Sequence, residues 1–127
     1  MATVALLGTL DTKGEEYAWL REALQSLGVQ THLIDTGSFS SSELADVSST
    51  QVIEAAGADP DALRAHRDRG EMMGVMGKGA AAVVRELAEA GTIQALLAIG
   101  GSGGSSVAAP AMQALPIGFP KLLVSTM

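Results

Sequence analysis

Apolar and polar residues alternate along the chain in two distinct rhythms. Residues 3–7 form a short unbroken apolar run closed by Gly8, the pattern of a strand buried on both faces in a parallel sheet. Thr12-Lys13-Gly14-Glu15 follows with the spacing of a capping box, which predicts a helix starting near Lys13. Tyr17, Leu20, Leu24 and Leu27 then recur at intervals of three and four, and Gly28 supplies a left-handed stop. Residues 29–34 mix β-branched and apolar side chains and end at Asp35, before a Gly- and Ser-rich stretch, predicting a second strand and its exit loop.

Residues 43–69 are rich in Ser, Asp and Ala and show only short periodic pieces, at 50–56 and at 60–67 with Pro60 opening the latter. Two short helices are expected there. Met72, Met76, Ala80, Val83, Leu87 and Ala90 restore the helical period over residues 70–90, although Gly74, Gly77 and Gly79 each cost about 1 kcal/mol against alanine in a helix. Residues 94–99 make a third buried-type strand, which runs into Gly100-Gly101-Ser102-Gly103-Gly104-Ser105-Ser106 and an alanine-rich helix to Leu115 that contains Pro110. Residues 121–125 make a fourth strand. The order β-α-β-(α)-α-β-α-β predicts an α/β fold, an open parallel sheet of four strands in a three-layer α/β/α arrangement, as one domain over residues 1–127. A parallel strand is ordinarily covered on both faces, so the expectation is that this is the N-terminal portion of a longer protein.

Composition narrows the function classes. Hydrophobic residues make up 47% and aromatic residues 3% of the 127 positions, so aliphatic side chains and methionine must build the core, as suits helices packed on a sheet. The chain has no cysteine, which removes disulfides, thiolate metal sites and cysteine nucleophiles and fits a cytoplasmic setting. No apolar run approaches a membrane span, and the N-terminus lacks the features of a signal peptide. A net charge of −6 argues against DNA or RNA, whose binding needs clustered Lys and Arg. A mononucleotide needs only a few amides and one lysine.

In an open parallel sheet the ligand crevice lies at the carboxyl ends of the strands, so candidate chemistry is sought at each strand exit. The first carries Gly8, Thr9, Asp11, Thr12 and Lys13 at a helix N-terminus that favours an anion; it lacks P-loop spacing, and a helix cap alone would explain it. The second ends at Asp35, placed like the acid that holds a ribose hydroxyl in dinucleotide folds, or like a turn-capping aspartate. The third, Gly100, Gly101, Ser102, Gly103, Gly104 and Ser105, lets backbone amides approach a ligand closely. It narrowly misses G-x-G-x-x-G and also fits the G-x-S-x-G elbow of serine hydrolases, with Ser102 as nucleophile. In that fold the acid and histidine follow the nucleophile, whereas His32 and His66 both precede Ser102. The fourth exit offers Ser125 and Thr126. His66 lies among Arg64, Arg67, Asp68 and Arg69 on what reads as a solvated face. Met72, Met73 and Met76 read as core filler, and Lys78, between two glycines, as a phosphate contact or, more commonly for such a position, an exposed helix lysine.

Taken together, LLGTLDTKGEE, RDRGE, GGSGGSS, ALPIGFPK and VSTM resemble the uncharacterised family that includes the tomato mosaic virus resistance protein, over essentially the whole chain. The resemblance implies a Rossmann-like N-terminal domain that binds ATP, with nucleotide contacts from residues 8–13 and 100–105 and from Ser125 and Thr126, in a bacterial member that continues beyond Met127. Met76-Gly77-Lys78-Gly79-Ala80 departs from the family's pattern by its lysine. The leading expectation is a nucleotide-binding module for ATP, with or without magnesium, its phosphates on the glycine-rich turn and the Thr12 helix start and Asp35 near the ribose. A serine hydrolase using Ser102 and a ligand-free protein-interaction domain are the alternatives, and self-association through the last strand is a further expectation. No reaction and no metal cluster is legible.

Overall fold

The structure is a computed structural model and describes residues 2–39, 42–100 and 102–125, with residues 102–104 by backbone alone. Nine elements follow in the order β1 (Thr3–Gly8), α1 (Leu10–Ser26), β2 (Gln30–Asp35), α2 (Ser49–Ala55), α3 (Pro60–His66), α4 (Arg69–Glu89), β3 (Ala95–Gly100), α5 (Ser102–Gln113) and β4 (Lys121–Ser125). The strands form one parallel sheet in the order β2-β1-β3-β4. The expected α/β class, strand number and parallel sense are all found.

Side-chain alternation along β1 separates two cores. Leu6 joins Leu10, Tyr17 and Leu33 under α1, with Leu20 and Leu24 packed against them. Ala5 and Leu7 face the other way, into a larger core with Ile34, Val52, Ile53, Met76, Val84, Leu96, Ala98 and Val107 contributed by β2, α2, α4, β3 and α5. Helices therefore lie on both faces, the arrangement that right-handed crossovers produce when the chain runs one way from β1 to β2 and the other way from β2 to β3. On the α1 side this cover is partial: Leu122 and Val124 of β4 are 59% and 44% exposed.

Local signals set the helix ends in the middle of the chain. Ser48 and Gln51 form a reciprocal capping box at α2, Asp59 caps α3 with Pro60 in its first turn, and the Asp68 carboxylate accepts from the Glu71 amide at 2.9 Å to cap α4. The start of α1 departs from the expected capping box. The helix begins at Leu10 with Thr9 as its N-cap, and Lys13 sits at a kink with φ −128° and ψ 27°. The Thr12 hydroxyl turns to the Thr9 hydroxyl, 2.7 Å away. Burial of Leu10 draws the first turn under the sheet edge, and the cap comes from elsewhere in the chain, since Asp35 Oδ1 accepts from the Leu10 amide at 3.2 Å.

Candidate functional site

The strand order places β1 and β3 side by side although their following helices leave toward opposite faces, which makes their carboxyl ends the topological switch point. Pairing between them reaches Leu7 and Ala98 and goes no further, whereas β1 stays paired to β2 as far as Gly8 with Asp35, and β3 to β4 as far as Gly100 with Ser125. The gap is held by Tyr17. Its buried hydroxyl lies 2.5 Å from the Leu7 carbonyl and 2.9 Å from the Ile99 carbonyl, and accepts from the Ile99 amide at 2.8 Å. Burial pushes its pKa up from 10.0 to about 12, against a smaller lowering by the hydrogen bond from the Ile99 backbone. Gly8 is required beside it, because a Cβ there would fall 2.2 Å from the tyrosine ring.

At the same sheet edge, beside Thr9, opens a cavity of about 580 Å³, within the range of roughly 300–1,000 Å³ typical of small-molecule sites. Its walls come from the start of α1, two loops and two further helices. Thr9, Asp11, Thr12 and Lys13 enter from the start of α1, Thr36, Ser38 and Phe39 from the exit of β2, and Arg67, Asp68 and Arg69 from the corner between α3 and α4. Met72, Met73 and Met76 of α4 and Val107 of α5 supply apolar wall. The described lining thus carries three cationic side chains and two carboxylates in a chain whose net charge is −6, and the Asp68 carboxylate is already engaged in capping α4. The N-termini of α1 and α4 open onto the same space and add their positive dipole ends.

The expected site residues do not share one environment. Thr9, Asp11, Thr12 and Lys13 line the cavity. Gly8, Asp35 and Gly100 lie buried beneath that edge. Asp35 is 1% exposed; its Oδ1 holds the amides of Leu10 at 3.2 Å and Gly37 at 2.9 Å, and its Oδ2 is buried with no hydrogen-bond partner among the described residues. Ser105, also buried, donates to the Ser125 hydroxyl at 3.2 Å. Gly101 and Thr126 lie outside the described residues, as do the side chains of residues 102–104.

Several lining residues have a different character in the sequence alone. Arg67, Asp68 and Arg69 are exposed, as a solvated face would be, yet they form one wall of the cavity. Met72 and Met76 are core residues, as expected, and also show part of their surface to the cavity. Lys78 is exposed on α4 and is not part of the wall. His32 lines a separate cavity of about 530 Å³ among Thr3, Gln30 and Thr92 near the strand starts, and His66 lies 3.4 Å from Glu71 on the surface. Among the described residues no group of three or more His, Cys, Asp or Glu side chains is arranged to hold a metal, and no helix is long and apolar enough to cross a membrane.

The N-terminal domain described as that of the uncharacterised protein family UPF0261 matches residues 2–127. The chain belongs to this family. A UPF0261 protein of Clostridium tetani is 39% identical over 125 residues, covering 98% of the chain and 31% of the relative. A UPF0261 protein of Mesorhizobium japonicum is 35% identical over 127 residues, again with 31% of its own length covered. A more distant plant relative, the ToMV susceptible protein tm-1(GCR26) of Solanum lycopersicum, is 27% identical over 139 residues, or 18% of its length. The chain therefore spans about a third of the length of its bacterial UPF0261 relatives.

Proposed function

We propose that this UPF0261 domain binds a nucleotide, ATP first among the candidates, in the cavity at the carboxyl edge of its sheet. The observation that carries the reading is the union, in one cavity at the switch point, of a cationic, hydroxyl-bearing rim with a wall of methionine and phenylalanine. Phosphates need the former and a base the latter. In this reading Lys13, Arg69 and the N-termini of α1 and α4 face the phosphates. Asp35 acts from beneath by fixing the start of α1 and the β2 exit loop relative to each other. A magnesium ion would arrive on the triphosphate, for which one protein carboxylate suffices, and Asp11 is the one on the rim whose carboxylate is not used as a helix cap. The cytoplasm, with its millimolar-range nucleotide and reducing conditions, is the setting that fits.

Serine hydrolysis through Ser102 and a ligand-free interaction surface remain alternative proposals, and no observation on the described residues favours either. Calorimetric titration of the folded chain with ATP and magnesium tests the binding reading. Saturable heat is expected, with Lys13→Ala and Arg69→Ala each weakening affinity by about tenfold, the scale of one charge-assisted contact. A folded chain that gives neither heat nor thermal shift up to millimolar ATP would refute it.

A further inference from the structure

Phe39 is one of only four aromatic residues in the chain, and it stands 52% exposed at the lip of the cavity. The backbone just before it is nevertheless tied down. Arg64 of α3 donates from Nε to the Ser38 carbonyl at 3.1 Å, from one terminal nitrogen to the Thr50 hydroxyl at 3.2 Å, and from the other to the Ser49 hydroxyl at 2.9 Å. The residue before Phe39 is thereby fastened to α2 and α3 together. Across the ring lies Arg67, whose guanidinium carbon is 5.3 Å from the ring centroid. Arg67 closes α3 with φ 52° and ψ 28°, and among the described residues it is the one non-glycine with positive φ. A left-handed arginine costs roughly 1–2 kcal/mol, and here it turns the chain from α3 into α4 while setting the guanidinium over Phe39. No carboxylate among the described residues pairs with it.

We propose that Phe39 and Arg67 form a stacking clamp for a planar heteroaromatic ring, so that the cavity recognises its ligand by the base as well as by the anionic tail. The inference rests on the nucleotide reading and specifies which side chains read the base. A ring held between the two needs about 7 Å, two stacking separations of about 3.5 Å; the present 5.3 Å accommodates a single face contact. Binding therefore exchanges partners: the guanidinium withdraws by roughly 2 Å, the base takes its place on Phe39, and the arginine covers the outer face of the base. A planar, weakly hydrated guanidinium suits that outer position. Because every base has a π-face, the clamp distinguishes ligands with a base from ligands without one more strongly than it distinguishes adenine from guanine.

The test compares ATP with inorganic tripolyphosphate by calorimetry on the wild-type chain and on Phe39→Ala, Phe39→Trp and Arg67→Gly, each first shown to be folded by its melting temperature. Glycine suits the left-handed corner, so Arg67→Gly is expected to fold at least as stably as the wild type. Phe39→Ala should weaken ATP by on the order of tenfold and leave tripolyphosphate unchanged, Phe39→Trp should retain ATP affinity, and Arg67→Gly should weaken ATP more than tripolyphosphate. Wild-type affinity for ATP in Phe39→Ala, or equal losses for both ligands, overturns the clamp while leaving the nucleotide reading in place. Failure of the wild-type chain to bind ATP at all overturns both.

Discussion

Tyr17 shows how one side chain can stand in for backbone pairing between two strands. The periodicity of α1 marks it as a residue on the buried face, and that much is legible in the sequence. Its hydroxyl, however, replaces the backbone pairing that ends between β1 and β3, and this depends on a strand register that local pattern does not encode. The consequence is measurable. The folded-state pKa of about 12 lies above the ordinary 10.0, so the folded state holds the phenolic proton more tightly than the unfolded chain. The associated stability is fully present below pH 10 and is lost as pH rises from 10 through 12, by about 3 kcal/mol at most. Tyr17→Phe should abolish that component of alkaline destabilisation and lower stability at neutral pH by about 1–3 kcal/mol, because the Ile99 amide loses its buried acceptor. Urea denaturation across the pH range checks both; an unchanged alkaline profile in Tyr17→Phe would show that the hydroxyl is not the group responsible. Arg67 and Arg69 illustrate the opposite limit, since an exposed charged run in sequence gives no sign of whether it borders water or a cavity.

Helix α4 carries the clearest conflict between propensity and packing. Its apolar period predicts a helix, and three glycines beyond its first turn, Gly74, Gly77 and Gly79, oppose it. Two of the three have a structural reason: a Cβ at Gly79 would fall 2.0 Å from the Val52 carbonyl oxygen of α2, and one at Gly77 would fall 3.2 Å from the Pro110 ring of α5. These close approaches bring α2 and α5 onto α4 beneath the cavity wall. Gly74 has open space around the same position and is exposed. Gly74→Ala should therefore stabilise the fold by about 0.5–1 kcal/mol, while Gly79→Ala should destabilise it by about 2 kcal/mol or more. Denaturant midpoints of the two variants moving in the same direction would contradict this packing. At α1 the capping-box spacing pointed to a start three residues late, because the cap that operates is a carboxylate 25 residues further on, a contact that no window of neighbouring residues contains.

At the scale of the molecule, alternation of strands and helices was enough to foretell four parallel strands. The sequence could not show which exits converge. The order β2-β1-β3-β4 gathers the β1 and β2 exits with the corner between α3 and α4 around one cavity, and it gives an acidic chain a locally cationic pocket. Glycine-rich loops are conspicuous by composition alone, whereas a charged corner has the same composition whether it borders water or a cavity.

The most direct test of nucleotide binding at this edge is an amide chemical-shift titration of the labelled chain with ATP and magnesium. The expected result is saturable shifts concentrated at residues 9–13, 36–39 and 67–76, with the strand-start cavity around Thr3, Gly28 and Gln30 unaffected. Shifts confined to the strand-start end, or a spectrum of a folded chain unchanged by millimolar ATP, would contradict the assignment.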